Sequence, residues 1–116
     1  PSLSQQEELI SAYWDAWLAV SRAYETGLTD DLSTYWALPI LETLSNSITT
    51  EQNYQTSNHQ LSLIFFSDDR SVAQLQDSFL LSVNGIKTSA NATVTLTLDT
   101  GRWRIRFISI EYVSDN

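Results

Sequence analysis

The sequence predicts an α+β domain in which three N-terminal helices pack on one face of a curved, four-stranded antiparallel meander sheet. In the first half, apolar residues recur at steps of three and four, which is the helical period. In the second half, apolar and polar residues alternate between short turn signals, which is the period of half-buried strands. A chain of 116 residues is the usual length of one domain, so we assign 1–116 to a single unit.

The first helix is predicted over about 4–26. Ser4 and Glu7 match the capping box S-x-x-E that begins many helices, and Gly27 suits the left-handed residue that ends one. One face of this helix is rich in aromatic side chains: Ile10, Tyr13, Trp14, Trp17, Ser21 and Tyr24. Such a face is typical of core packing, and the alternative is a platform for a ligand. We expect all four tryptophans, Trp14, Trp17, Trp36 and Trp103, in the helix–sheet core.

Two shorter helices are predicted next. Thr29 can cap the second helix, with Asp30 and Asp31 in its first turn, where the helix dipole favours acidic groups. Pro39 suits the first position of the third helix. The polar stretch 47–58 is predicted to be a loop or an irregular entry to the sheet.

Four strands are predicted over 59–66, 71–83, 86–98 and 103–113. Asn84-Gly85 is a strong signal for a two-residue hairpin turn, and it pairs Asp77 with Ala92 on one apolar face. A second turn at Thr100-Gly101 places Trp103, Ile105 and Phe107 on the same face. Around Phe107 the apolar phase slips by one residue, which predicts a bulge that bends the sheet.

Composition excludes several classes of function. Fourteen acidic residues face six basic ones, for a net charge of −8, which disfavours nucleic acid as a partner. Cysteine is absent and histidine occurs once, which excludes Cys-ligated zinc and a cluster of histidine ligands. A carboxylate site is conceivable at Asp30-Asp31 or Asp68-Asp69, but such pairs are more often turn and cap residues, so we predict no metal site. There is no Gly-rich phosphate loop, and we predict no cofactor. No apolar run reaches the roughly 20 residues of a membrane span, so this segment is not expected to insert in a membrane. The single lysine and the many Ser, Thr, Asn and Gln residues favour an extracytoplasmic or secreted protein and leave a cytoplasmic location open.

The order of elements resembles the nuclear transport factor 2-like superfamily, also called cystatin-like cone folds. The resemblance rests on "AYWDAWLAV" in a long first helix, two shorter helices after it, and "GRWRIRFISI" in the final hairpin. It implies a curved sheet that closes on the helices, with a pocket between them. The superfamily includes ketosteroid isomerase-like enzymes, dehydratases, transport factors and accessory domains of envelope proteins, so the fold does not fix the function.

One acidic residue stands out within an apolar strand face. Asp77 lies between Leu75 and Phe79, and a plausible register places Leu61 opposite it and His59 diagonal to it. A carboxylate near an imidazole is a general-base candidate, and a tyrosine of the first helix could stabilise a developing oxyanion. The catalytic candidates are Asp77, His59 and Tyr13, and the candidate ligand-binding residues are Asp77, His59, Tyr13, Trp17 and Tyr24. The alternative is that Asp77 lies at the sheet margin, solvated or satisfied by His59.

The sequence therefore favours a non-catalytic ligand- or protein-binding domain, as the soluble part of a bacterial envelope or secreted protein. The alternative is a small-molecule isomerase or dehydratase that uses Asp77 as its general base. Expected partners are a small apolar ligand or a protein. The outer sheet face is too polar for an obligate interface, which predicts a monomer or a weak homodimer. Its stripe of Arg102, Arg104 and Arg106 is either a solvated face with Asp99 opposite or a surface for an anion.

Overall fold

The computed structural model describes residues 2–113 and begins with a long helix, α1, over Leu3–Thr26. The capping box is present, but it is formed two residues earlier than predicted. The Ser2 hydroxyl accepts the Gln5 N–H at 3.2 Å, and the Gln5 side chain accepts the Ser2 N–H at 2.9 Å. Gln serves here as well as Glu because only a side-chain acceptor is needed. Gly27 ends the helix in the left-handed conformation, as predicted, at φ 76°.

The two following helices are short. A 3-10 helix spans Asp30–Thr34 and buries Leu32, and α2 spans Ile40–Ser47 directly after Pro39. Between them Trp36 lies against α1, where its indole Nε1 donates a hydrogen bond of 2.9 Å to the Ala16 carbonyl. Within residues 2–113, no helix has both the length and the hydropathy needed to cross a bilayer.

The sheet has four antiparallel strands in the order β1-β2-β3-β4. Their bounds are Tyr54–Phe66 for β1, Val72–Val83 for β2, Ile86–Asp99 for β3 and Arg102–Val113 for β4. The predicted start of the first strand at residue 59 is wrong, because β1 already begins at Tyr54. Of the two alternatives for 47–58, the last part is therefore an irregular entry to the sheet and not a loop. There Tyr54 pairs with Val83 and Thr56 pairs with Leu81. Residues 55–58 are all polar, so the alternation of inward and outward positions in this part of β1 is not visible in the sequence.

The predicted registers are confirmed along β2 and β3, including the pairing of Asp77 with Ala92. In β4 the predicted bulge is present one residue before its expected place. Thr95 pairs with Phe107, whereas the next residue, Leu96, pairs with Ile105, so Arg106 is the additional residue. The expectation that Phe107 faces the core is therefore wrong, and this side chain is 53% exposed. Ile108 takes the inward position instead and packs against the core.

The core lies between α1, the Trp36 segment and the concave face of the sheet. Trp17, Trp36 and Trp103 belong to it, with 2–6% of each residue exposed. Trp14 does not, because it is 40% exposed. Its position on α1 lies at the boundary between the core face and solvent, a boundary that periodicity alone places poorly. The prediction of four core tryptophans holds for three.

The arginines of β4 tie the helical segment to the sheet. Arg104 Nε donates to the Ser33 carbonyl at 3.0 Å, and Arg106 Nη1 donates to the Leu38 carbonyl at 2.8 Å. Arg106 also pairs with the Asp99 carboxylate at 3.0 Å. These contacts favour a structural role for the two arginines over a surface that binds an anion, because their donors already have acceptors.

Candidate functional site

Asp77 is the one charged side chain in the buried core of the described residues, and only 2% of it is exposed. Its Oδ2 atom accepts hydrogen bonds from the Tyr13 hydroxyl and from His59 Nδ1, each at 2.5 Å. Its Oδ1 atom accepts the backbone N–H of Gln60 at 3.1 Å. A buried carboxylate without such donors would be costly. Of the residues predicted to lie beside Asp77, His59 and Tyr13 contact its carboxylate, and the Gln60 N–H is a further donor that was not predicted.

A bulge in β1 turns His59 inward. Ser57 pairs with Leu80 and Gln60 pairs with Ser78, so two residues of β1 lie opposite the single residue Phe79. The first of them, Asn58, has a left-handed backbone with φ 56°. Because the bulge shifts the alternation by one residue, the side chain of His59 lies on the concave face.

The same bulge adds a residue that the sequence analysis missed. Thr56 lies on the concave face before the bulge and His59 lies on it after the bulge, although an odd spacing separates them in the chain. The Thr56 hydroxyl is 2.8 Å from His59 Nε2. Since Nδ1 faces an acceptor-only carboxylate, we infer that Nδ1 bears a proton. The result is one continuous chain of hydrogen bonds from Tyr13 through Asp77 and His59 to Thr56, called here the buried polar chain.

Aromatic rings enclose the imidazole. His59 stacks on Phe79, with ring centroids 4.9 Å apart and planes inclined by 21°. Trp14 meets the imidazole edge-on at 4.9 Å, and Trp17 lies 6.0 Å away. Only 6% of the His59 side chain and none of the Asp77 side chain is exposed. The cone is therefore filled by side chains at this level, and Trp14 is the member of the group that reaches solvent.

The predicted ligand-binding residues fall into two places. Tyr24 lies apart from the buried polar chain and stacks on Tyr54 at 4.5 Å. Both tyrosines line an open cleft of about 420 Å³ at the end of α1. Trp17 lies beside the chain, but its buried Nε1 has no hydrogen-bond partner of standard geometry within the described residues. Its indole nevertheless lies close enough to the Tyr13 hydroxyl to oppose part of the rise in the pKa of Tyr13 described below.

A small apolar pocket lies where α1 meets β1 and β2. It measures about 170 Å³. Its lining comes from α1, β1 and β2: Gln6, Leu9, Ile10, Leu61, Leu63 and Leu75. Ile10 is one helical turn from Trp14, and Leu61 follows His59 in β1 by two residues, so the pocket and the exposed Trp14 form neighbouring parts of one surface.

We predict that stability falls steeply in alkali because two tyrosines are held neutral. Burial raises the pKa of Tyr13 well above its usual value of 10.0, and the hydrogen bond to Asp77 adds to the rise. Burial likewise raises the pKa of Tyr54, with smaller contributions from Tyr112 and Tyr24. Above about pH 10 the unfolded chain loses these protons while the native protein keeps them. The stabilisation is therefore complete below that pH and is lost as the pH rises further.

The expected slope is about 1.4 kcal/mol per pH unit for each of the two tyrosines. Urea unfolding at several pH values above 10 measures it. Tyr13→Phe and Tyr54→Phe should each reduce the slope by about half, whatever they do to stability at neutral pH. An unchanged slope in both variants would show that neither phenol is held neutral by the fold.

A long helix and short helices packed on an open, curved, four-stranded antiparallel sheet define an α+β fold. The intermembrane-space region of the chloroplast protein ARC6 shares it, with a TM-score of 0.64 and 15% identity over 97% of this chain and 98% of that one. A protein from Exiguobacterium sibiricum 255-15 described as a Ca/calmodulin-dependent kinase II association domain has a TM-score of 0.65 and 12% identity. That match covers 100% of this chain and 98% of the other.

At such low identities these likenesses define the fold alone. No family model matches the chain, and no curated protein matches it either.

Proposed function

We propose that this domain is a non-catalytic binding domain whose contact surface is the flank where α1 meets β1. The α1–β1 flank is defined by Ile10, Trp14 and Leu18 of α1 and by Leu61 and Leu63 of β1. The observation that supports it best is Trp14, which is held in place by the imidazole of His59 and is still 40% exposed. Large aromatic side chains that are both rigid and exposed are the commonest energetic centres of binding surfaces.

The geometry of Asp77 supports binding rather than catalysis. A general base must come within hydrogen-bond reach of the proton that it removes. Here Tyr13, His59 and Gln60 already donate to the carboxylate, and Tyr13 is fully buried. A substrate could reach Asp77 only by displacing one of these groups.

In this proposal the buried polar chain positions the surface instead of reacting. Asp77 fixes the orientation of His59, and the His59 ring packs against the indole of Trp14 and restricts its movement. A side chain that is ordered before binding loses less conformational entropy when a partner docks. Tyr13 and Thr56 complete the chain at its two ends.

The location that we propose is extracytoplasmic, as the soluble part of an envelope or secreted protein. Its support is the lysine-poor, cysteine-free composition and the likeness to a region of ARC6 that lies in an intermembrane space. The likeness to a protein described as an association domain supports a protein partner. Protease accessibility of the full-length protein in intact cells would test the location.

The binding surface can be tested with two small apolar probes, indole and cyclohexanol, added to ¹⁵N-labelled protein. We expect the indole N–H signal of Trp14 and the amides of Leu61 and Leu63 to shift, and those of the buried polar chain to stay. Trp14→Ala should abolish the shifts. Phe107→Ala is the matched control, since Phe107 is an exposed aromatic residue on the other sheet face. Shifts centred on the cleft of Tyr24 and Tyr54 would contradict the proposal.

A second candidate function rests on the same buried polar chain. A carboxylate, an imidazole and a phenol in mutual contact are the groups that an isomerase or dehydratase of small molecules needs, with Asp77 as base. The probe is cyclohexanone in D₂O. Deuterium exchange at its α-carbon that is lost in Asp77→Asn would favour this function, and exchange no faster than the buffer blank would favour binding.

A further inference from the structure

We infer that two copies of this domain pair through the open edge of β4, where residues 107–113 of the two copies run antiparallel as neighbouring strands. The inference is independent of the proposed binding function, because the α1–β1 flank lies at the opposite edge of the sheet. Three observations support it: unpaired main-chain groups on this edge, apolar side chains beside them, and a register in which the edge is complementary to itself.

The outer edge of β4 is covered only before its bulge. There the Ala37 N–H donates to the Ile105 carbonyl, and the Ile105 N–H donates to the Tyr35 carbonyl, each at 2.8 Å. After the bulge at Arg106, no backbone hydrogen bond from any other part of the described chain reaches this edge. Residues 107–113 therefore form an open edge of the sheet.

Three residues present unpaired main-chain groups on this edge: Ile108, Ile110 and Tyr112. In an antiparallel ladder, every second residue points its N–H and C=O away from the neighbouring strand. Ile105 is such a residue, because both of its groups bond to segment 35–37. Ile108, Ile110 and Tyr112 pair with every second residue of β3 counted from the partner of Ile105, so they share its phase. Such a row of groups is a template for another strand.

The open edge of β4 lacks the features that usually prevent such pairing, which are bulges, prolines and lysines. On the opposite edge of the sheet, the register of β1 shifts twice, between Ser57 and Gln60 and between Leu63 and Phe65. Residues 107–113 pair with β3 without any shift, and they include neither proline nor lysine. Of the two edges, that of β4 is therefore the one suited to a partner strand.

Apolar side chains lie beside the open edge. Phe107 is 53% exposed, Tyr112 is 58% exposed and Val113 is 42% exposed. Ile108 and Ile110 are half-buried and pack against the core on the concave face. A strand added here would cover apolar surface as well as main-chain groups, and both gains favour association.

A second copy is the occupant that this edge fits, because the edge is complementary to itself. Only a two-fold axis through Ile110 lets all three residues with outward main-chain groups exchange hydrogen bonds, with Ile108 of one copy opposite Tyr112 of the other. In this register Phe107 lies opposite Val113 of the other copy. Apolar side chains thus face apolar side chains, and such cross-strand pairs stabilise a sheet.

The charge at this edge also permits a second copy. Glu111 is the one charged residue of 107–113, and in the same register it lies opposite Ser109 of the other copy, so no like charges face each other. Three of the six basic residues come just before this segment in β4: Arg102, Arg104 and Arg106. The edge therefore lacks the excess of negative charge that gives the whole chain its net charge of −8.

Sedimentation equilibrium of the whole chain over a range of concentrations tests the inference. We expect a reversible dimer that higher salt strengthens, because salt screens the repulsion between two acidic copies. Hydrogen exchange adds the location: the amides of Ile108, Ile110 and Tyr112 should exchange more slowly as the protein concentration rises. The amides on the open edge of β1 should exchange at an unchanged rate.

Variants of Ser109 test the register. Ser109→Lys places a lysine opposite Glu111 twice in each dimer, and should strengthen the dimer about two- to thirtyfold. Ser109→Glu places like charges opposite each other and should weaken the dimer by a similar factor. Gln76→Lys and Gln76→Glu are the matched controls, since they make the same charge changes at an exposed position of β2 and should have much smaller effects.

Tyr112→Pro tests the role of the main chain. It removes an N–H that points away from β3, a position where an edge strand tolerates proline, so circular dichroism should show the fold intact. The dimer should be lost, whereas Tyr112→Ala, which keeps the N–H, should weaken it only in part. The Ser109 variants test the inference even if Tyr112→Pro fails to fold.

A domain that stays monomeric at about 1 mM would overturn the inference. So would Ser109 variants that behave like the Gln76 controls, or a dimer in which the Ile110 amide exchanges as fast as in the monomer. Binding of indole and cyclohexanol at Trp14 does not depend on any of these outcomes, so this inference and the proposed function fail separately.

Discussion

The Asp77→Ala variant is expected to have a free energy of unfolding about 3–5 kcal/mol below that of the wild type, measured by urea denaturation at neutral pH. The substitution leaves the Tyr13 hydroxyl, His59 Nδ1 and the Gln60 N–H without their common acceptor inside the core. Each stranded donor adds its own desolvation cost. A domain of ordinary stability, about 5–15 kcal/mol, would lose a large share of it.

Two further variants separate this effect from the simple loss of a negative charge. Asp68→Ala removes an exposed carboxylate of the β1–β2 turn and should change the unfolding free energy by less than about 0.5 kcal/mol. Asp77→Asn keeps one acceptor oxygen and should fall between the wild type and Asp77→Ala. If Asp77→Ala unfolded at the same urea concentration as Asp68→Ala, the hydrogen bonds to Asp77 would have no net stabilising role.

Much of the sheet could be predicted because local turn chemistry and alternation agree. The left-handed backbone required at Asn84-Gly85 fixes the start of the hairpin, and a shift by one residue would turn every apolar side chain of β2 outward. The position of Asp77 on the concave face followed from this register alone. The pairing of Asp77 with Ala92 is confirmed in the structure for that reason.

Bulges mark the places where the same reasoning failed. The additional residue Arg106 moves Phe107 to the outer face, and the bulge at Asn58 brings both Thr56 and His59 to the concave face. A bulge has no strict residue signature when a non-glycine residue takes the left-handed backbone. The available signal is a change of phase: the inward residues are Tyr54 and Thr56 before the bulge and His59, Leu61 and Leu63 after it. Because several residues of β1 are polar, this change is hard to see in the sequence.

The surface that we propose for binding was harder to predict than the buried polar chain. His59 and Asp77 belong to adjacent strands, so strand register places them together. The pocket beside Trp14 depends on the distance between α1 and β1, and no local pattern in the sequence predicts that distance. Trp14 shows the difference well: its helical phase predicts a core residue, but the end of the sheet at β1 leaves one side of its indole uncovered.

Trp36→Ala is expected to lower the free energy of unfolding by about 3–5 kcal/mol, the usual cost of removing a fully buried large aromatic side chain. Trp36 is 2% exposed, contacts Trp17 edge-on at 5.6 Å and donates its indole N–H to the Ala16 carbonyl at 2.9 Å. Its side chain lies between α1 and β4, because the backbone around Trp36 forms a β-bridge with Ile105, so its removal leaves a cavity there.

Two matched variants test this explanation by the same urea titration. Trp14→Ala removes an equal side chain from a site that is 40% exposed, so its cost should be clearly smaller. Trp36→Phe keeps most of the apolar volume but removes the indole donor. The Ala16 carbonyl keeps its hydrogen bond within α1, so the lost indole hydrogen bond should cost about 0.5–1.5 kcal/mol. Equal losses for Trp14→Ala and Trp36→Ala would mean that Trp14 is part of the core, and the flank proposed for binding would then lose its exposed centre.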